Sequence, residues 1–244
     1  MKNQYFADIN DYRKFGLLRT LSGLGEIRTA VCWMLTGSDT RSDGRFTRYL
    51  GQPERWRDCD PPLFDSLAAC LSGPGTRSVA WAVDHQLLPA ACYFADLLED
   101  GLTARRQYFD RFEALSAGSE LVFFDPDNGL EVKSVRAGGK NFSKFLAWDE
   151  LERTYQSGKS VLFYQHFPRI RRDVFTERLA SQLLSRLALP GLFSFTSSNV
   201  LFMLLPQPRR LDYFSGRCSQ LEVAWASQFR LAQILPDAGT PRQA

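Results

Sequence analysis

The sequence predicts a single-domain α/β fold in three layers, αβα, with a mainly parallel sheet and an antiparallel hairpin at its C-terminal end. Three observations carry this. Short apolar runs rich in β-branched and aromatic residues, TAVCWML (29–35), ELVFF (120–124) and SVLFYQH (160–166), are too short for buried helices and read as buried strands. Helix-length patterns separate them, which is the signature of βαβ units and of a sheet covered on both faces. The last apolar stretch, LFSFTSSNVLFMLLPQ (192–207), is interrupted by Ser197-Ser198-Asn199, as hairpins are.

Taken in order, residues 11–24 (DYRKFGLLRTLSGL) space Tyr12, Phe15, Leu18 and Leu21 as a helix does, with Gly23 and Gly25 as a stop and Asp8 or Asn10 as its cap. The strand at 29–35 runs into TGSDTRSDGR (36–45), a loop dense in Gly, Ser and Asp. Residues 61–73 open with Pro and close with Gly, as helices do. SVAWAV (78–83) reads as a second strand, whereas ACYFADLL (91–98) is either a strand or a helical turn. Residues 103–115 form an amphipathic helix before the strand at 120–124. A helix over about 143–156 leads into the strand at 160–166, and a long helix follows over 173–189 with Pro190-Gly191 after it. A final helix is expected over about 220–235.

Composition limits the classes. The chain has 244 residues, 44% hydrophobic and 23% charged, enough for one large core, so 1–237 is expected as one domain and 238–244 as a disordered tail. A formal charge of +3 leaves no room for a polybasic arm or an acidic tail, so nucleic-acid binding is allowed but not indicated. The five cysteines are odd in number and scattered, with no CxxC pair, and read as reduced, buried small hydrophobes. The polar N-terminal stretch is no signal peptide and no apolar run approaches the roughly 20 residues of a membrane span, which predicts a cytoplasmic protein.

In an open α/β sheet, ligands bind at the carboxyl ends of the strands. Three strands end there in polar clusters: 36–45, FFDPDNGLE (123–131), and Gln165-His166 with Arg169. In DPDNG, Asp125 closes a buried strand and is aimed into the crevice, Asp127 and Asn128 add polar groups, Gly129 takes a positive φ, and Glu131 returns toward the same pocket. The same five residues are also a strong turn sequence. The loop 36–45 is either a plain polar loop or a phosphate or nucleoside cradle. It has neither GxGxxG nor GK[ST], so dinucleotide and P-loop chemistry are unsupported. His166 follows an apolar strand and is either a site base, acid or ligand, or a structural histidine. The N-terminal QYFADINDYRK (4–14) is either a simple capped helix or a lid bringing Asp11 or Lys14 over the site.

In its order of parts the chain resembles Rossmann-like S-adenosylmethionine-dependent methyltransferases, over most of its length. Asp125-Pro126-Asp127-Asn128 resembles that family's Asp/Asn-Pro-Pro-aromatic motif, and the helix, strand and glycine-bearing loop at the N-terminus are similar to bacterial ribosomal RNA adenine-N6 methyltransferases and three-Cys-motif partner proteins. The resemblance implies S-adenosylmethionine as cofactor with Thr36, Gly37, Ser38 and Asp39 at the cofactor loop. It implies that Asp125 holds an acceptor amine, on a nucleic acid or nucleotide; Asp127, Asn128 and His166 are the further candidate catalytic residues. Asp127 stands where the family has its second Pro, Asn128 replaces the aromatic that stacks a flipped base, and a single Gly37 replaces the usual acidic-x-Gly-x-Gly. These departures suit a relative that keeps the fold as a non-catalytic binding subunit. A further alternative is a metal-dependent nuclease or phosphohydrolase, in which Asp125, Asp127 and Glu131 are hard oxygen ligands for Mg²⁺. There Glu131-x-Lys133 resembles the catalytic end of PD-(D/E)xK nucleases, although Pro126-Asp127 lies too near it in sequence to supply their separate strand.

Overall fold

The computed structural model of the chain describes residues 1–37, 46–73 and 77–236. The elements alternate from α1 (Ile9–Leu21) and β1 (Thr29–Cys32) through α2 (Pro53–Trp56), α3 (Pro61–Ser72) and α4 (Ala80–Asp84) to β2 (Ala91–Phe94). Next come α5 (Leu102–Leu115), β3 (Leu121–Phe124), the two-residue strands β4 (Gly129–Leu130) and β5 (Phe145–Leu146), α6 (Trp148–Gln156) and β6 (Ser160–His166). The last elements are α7 (Arg172–Leu187), the hairpin β7 (Leu192–Thr196) and β8 (Val200–Leu205), α8 (Leu211–Ala224) and β9 (Arg230–Ile234).

Seven strands form one sheet in the order β2-β1-β3-β6-β8-β7-β9. The first four are parallel, β8 runs antiparallel between β6 and β7, and β9 adds antiparallel to the outer edge of β7. Strand side chains alternate between faces, and the two halves of the core divide accordingly. Val31, Leu121, Phe123, Leu162 and Tyr164 pack with α1, α3 and α8 on one face. Ala30, Cys32, Val122, Phe124, Val161 and Phe163 pack with α5, α6 and α7 on the other. The expected three-layer αβα fold, mainly parallel with a closing hairpin, is the observed one.

The chain runs from β1 outward to β2 and then returns past β1 to β3, so successive connections run in opposite directions along the sheet. The gap beyond the carboxyl ends of β1 and β3 is therefore the topological switch point, where such sheets open a crevice.

Several local expectations are corrected. Residues 80–84 are helix α4, not a strand: a short apolar run has no period to separate the two forms, and both places beside β1 are filled by β2 and β3. Within 91–98, residues 91–94 form strand β2. The last helix starts and ends earlier than expected, α8 stopping at Ala224, and residues 230–234 form edge strand β9 instead. Ahead of α6, residues 145–146 pair with β4 before the helix begins at Trp148. All five cysteines are free thiols, but Cys59 and Cys92 are only half-buried. No helix among the described residues is long and apolar enough to cross a membrane.

Helix α1 is embedded rather than laid over a mouth. Tyr12, Phe15, Leu17, Leu18 and Leu21 are wholly buried, and Gly16 lets Trp225 of the α8 end approach so closely that a Cβ would stand 2.1 Å from its ring. Asp11, Arg13 and Lys14 on the same helix are buried too, which requires partners inside the protein.

Candidate functional site at the switch point

Alternation fixes the side on which Asp125 falls. Leu121 and Phe123 face α1, so Asp125, two further on, faces it as well, and so do Tyr164 and His166 on the neighbouring strand. There Asp125 Oδ2 accepts from Lys14 Nζ at 2.6 Å, and the same ammonium donates to Asp11 Oδ1 at 2.6 Å. Asp11 also accepts from Ala7 N, and Asp8 caps α1 by accepting from Asn10 N and Asp11 N. Lys14 lies over the Trp33 ring at 5.4 Å. Of the two expectations for the N-terminal stretch, the capped helix is observed, and it delivers Asp11 and Lys14 to the site as well.

Two carboxylates thus share one ammonium, with Asp8 beside them in the same buried setting. Burial, reinforced by the charge of Asp11, pushes Asp8 up to about 7 against its two backbone hydrogen bonds. Burial also raises Asp125, and Lys14 and the Met1 amino group only partly offset it. For Lys14 burial acts downward, but Asp11 and Asp125 outweigh it and hold its pKa above the ordinary lysine value.

Asp127 sits differently. Its Oδ1 lies 2.7 Å from the Met1 amino nitrogen and its Oδ2 accepts from Thr36 Oγ1 at 2.9 Å. Burial pushes its carboxyl up, but the Met1 amino group and the Thr36 hydroxyl prevail and keep it below the usual carboxylate value. The Met1 nitrogen donates in addition to Asp125 O at 3.1 Å and to Met34 O at 3.3 Å. Met34 takes part because its φ of +45° turns the chain sharply after β1, a strained conformation for a residue with a side chain. The carboxyl ends of β1 and β3 together therefore form a cradle of two carbonyls and one carboxylate around a primary amine.

The remaining expected residues fall as follows. Gly129 has φ +112° and a Cβ there would stand 2.3 Å from Gln165 Oε1, so its predicted positive φ is realised and the position excludes any larger residue. Asn128 acts through its backbone: its N–H donates to Lys144 O and its carbonyl accepts from His166 N and Gln165 Nε2. Gln165 locks the turn further by accepting from Leu130 N. Glu131 does not return to the pocket; its carboxylate accepts from Trp148 N at the start of α6. Asp125, Asp127 and Glu131 are thus each engaged by a different donor, and no group of three His, Cys, Asp or Glu side chains among the described residues is placed to hold a metal.

His166 is exposed at its outer edge while its Nε2 edge meets the buried Tyr164 hydroxyl at 3.0 Å. Burial of that edge lowers its pKa, whereas burial and the neighbouring carboxylates, Asp125 first, hold the Tyr164 hydroxyl well above 10. His85 stacks on Trp81 on α4. Thr36 reaches the site, and Gly37 is exposed with no described residue within 4 Å of where a Cβ would be. Ser38 and Asp39 lie outside the described residues. Sequence reasoning did not find Met1, Met34 or Tyr164; the only legible signal was the 2-residue period that puts Tyr164 on the face of Asp125.

Two segments at the carboxyl edge are basic, whereas the segment after β2 carries Asp96, Glu99 and Asp100. Segments 131–144 and 166–172 carry seven Lys or Arg against one carboxylate, Glu131, whereas the whole chain has 30 against 27. Asn128 and Lys144 tie the first segment to the turn, and Arg171 pairs with Asp173. Lys133, Arg136, Lys140, Lys144, Arg169 and Arg172 form no ion pair among the described residues, and Arg172 lies 5.3 Å over the Phe167 ring. An open groove of about 580 Å³ runs beside this edge, between residues 101–104 at the start of α5 and residues 136–139.

No protein-family model matches the chain, and no curated protein does. Among solved structures, the chain is similar to protein LPL1258 from Legionella pneumophila str. Philadelphia 1, described by the family model DUF519. The two are 9% identical at a TM-score of 0.47, the alignment covering 96% of this chain and 98% of that one.

Proposed function

We propose that this chain is a methyltransferase-like α/β protein whose site is the switch-point crevice at Asp125–Asn128. Its ligand would be S-adenosylmethionine and its acceptor an amino group on a nucleic acid or nucleotide. The observation that carries the reading is the amine cradle. Met34 O, Asp125 O and the Asp127 carboxylate, all within 3.3 Å of the Met1 nitrogen, are a set of acceptors that suits the α-ammonium of the methionine half of the donor. The residues fit that group: two carbonyls and a charged oxygen converge where sheets of this topology bind ligands. Bound there, the donor would supply an electrophilic methyl group.

The chain's own residues would orient the acceptor and manage charge. Asp127 holds the ammonium, and its depressed pKa keeps it ionised at neutral pH. Asp125 Oδ2 is taken by Lys14, which leaves Oδ1 as the atom for an acceptor amine. The unpaired cations at 133–144 and 169–172 suit a polyanion, and the Tyr164–His166 pair stands between the buried carboxylates and solvent. Asn128 offers no ring for stacking, so base recognition through that position is absent from this reading.

One observation favours a second reading, a non-catalytic binding subunit: Asp125 and Asp127 are both neutralised from within the chain. Calorimetric titration with S-adenosylmethionine, followed by transfer of a radiolabelled methyl group to oligonucleotides and nucleosides, separates the two. Donor binding that Asp127→Asn abolishes, with transfer, supports the enzyme. Binding without transfer favours the subunit, and no binding at millimolar donor removes the proposal.

A further inference from the structure

Methylating an amine releases a proton, and the floor of the crevice has little water to take it. Asp125 is 3% exposed, and Lys14, which holds Asp125 Oδ2, is 2% exposed. The parallel register that sets Phe124 against Phe163 puts Tyr164 beside Asp125 on the neighbouring strand. Their backbones are about 4.8 Å apart, and both side chains are on the face toward α1. The Tyr164 ring is buried, edge-on to Phe202 at 5.5 Å, and its hydroxyl meets His166 Nε2 at 3.0 Å. His166 is exposed, and its other ring nitrogen has no partner among the described residues. Carboxylate, phenol and imidazole thus run from the floor of the crevice to solvent.

We propose that Tyr164 and His166 are the proton exit of this site, carrying to solvent the proton that the acceptor amine gives up at Asp125. The inference rests on the reading of the crevice as a methyl-transfer site. The acceptor nitrogen bonds the methyl carbon with its lone pair, leaving the carbon–sulfur pair on sulfur, and must then lose one proton. Asp125 Oδ1, the oxygen that Lys14 leaves open, takes it. The Tyr164 oxygen accepts that proton while its own passes to His166 Nε2, and His166 sheds its Nδ1 proton to water, regaining its first tautomer by exchange with solvent. The polarity of the pair suits this direction. Burial and the carboxylates Asp125, Asp8, Asp11 and Asp127 keep the phenol protonated, and burial keeps the imidazole neutral at neutral pH against the pull of Asp127. From α1 come also Lys14, bound to Asp11 and Asp125, and Arg13, bound to Asn199 just before β8. Tyr164 and His166 act through Asp125 and position the proton; neither is placed against the acceptor.

The ring nitrogens of His166 are read first, by NMR of the ligand-free chain carrying isotope-labelled histidine. The exit requires the Nδ1–H tautomer, with Nε2 accepting from Tyr164, and Tyr164→Phe should restore the Nε2–H form. Radiolabelled methyl transfer is then followed in the parent, Tyr164→Phe and His166→Gln. The expected result is a first turnover at the parental rate and a steady state at least about tenfold slower in both variants, with imidazole restoring turnover to His166→Ala. The parental steady state should also fall as pH drops below the ordinary histidine value of 6.5, where His166 gains a second proton. That limb should vanish in His166→Gln, whereas one near 7 from Asp8 should remain. An Nε2–H tautomer in the parent, or a steady state unchanged by both substitutions, overturns the exit and leaves the donor reading standing. Absence of transfer in every form removes the donor reading and the exit with it.

Discussion

Lys14→Met tests the electrostatics on which the site is built. The substitution keeps an aliphatic side chain of similar length and removes the ammonium that lies 2.6 Å from both Asp11 and Asp125. All three groups are buried, so the loss leaves Asp11 without its ion-pair partner and Asp125 with only the nearby Met1 amino group, and breaking a buried pair in this way costs about 3–5 kcal/mol. For a chain of this size that lowers the melting temperature by roughly 10 °C. Asp125→Asn is predicted to cost less, about 1–3 kcal/mol, because Lys14 keeps Asp11 as its partner. The pH dependence has a definite sign. Without Lys14 the carboxyl of Asp125, which burial already raises, is raised further above its unfolded value, so the folded state keeps a proton that the unfolded state has already lost. Stability then falls as pH rises through the window that opens near the ordinary carboxylate value. The deficit of Lys14→Met is therefore larger at pH 8 than at pH 5. Urea denaturation followed by circular dichroism at the two pH values measures it. A Lys14→Met protein within about 1 kcal/mol of the parent at pH 8, or one less damaged than Asp125→Asn, would refute the reasoning.

Three other outcomes follow from the same geometry. Asp8 is held up to about 7 by burial, so its contribution to stability is lost as pH rises from near 4 toward 7; Asp8→Asn, which keeps a capping oxygen, should flatten that decline in melting curves taken across the range. Gly129→Ala meets Gln165 at 2.3 Å with φ at +112° and should cost about 2–4 kcal/mol in urea titrations, since it strains the backbone and unseats the amide that locks the turn; a loss below half a kcal/mol would contradict the close approach. Arg169→Glu together with Arg172→Glu should weaken binding of a fluorescent single-stranded oligonucleotide and flatten its salt dependence by about 0.7 for each phosphate no longer neutralised, and an unchanged slope would exclude these residues from a polyanion surface.

The sheet was legible because its strands are short, apolar and well separated. Periodicity located β1, β3, β6 and the hairpin, and placed Asp125 at the end of a buried strand beside a turn whose Gly129 takes a positive φ. The misreadings have one physical source. At 78–83 and 230–234 the runs are too short for a period to distinguish helix from strand, and tertiary space decided each: the flanks of β1 were filled, while the outer edge of β7 was open to β9. Glu131 was expected at the pocket because sequence distance was taken for spatial distance. The two-residue strand β4 carries it instead to the start of α6, where it caps an amide.

The site itself was half visible for a different reason. DPDNG announces a strand-end carboxylate, but what makes it a site lies 111 residues earlier, on a helix whose own pattern is poorly amphipathic. In DYRKFGLL the charges at Asp11, Arg13 and Lys14 look like a solvated face, and solvation is the ordinary fate of such residues. Here the helix is enclosed on all sides, so those charges had to find partners within the fold. Asp11 and Lys14 found one another and Asp125, and Arg13 reaches Gln228 and Asn199. A buried charge can be stabilised only by another group that the fold brings to it. The embedded α1 and the acidic end of β3 therefore have to be understood as one structure: removing Lys14 strips both Asp11 and Asp125 of their shared partner, and an acceptor amine entering the crevice would have to share Asp125 with Lys14.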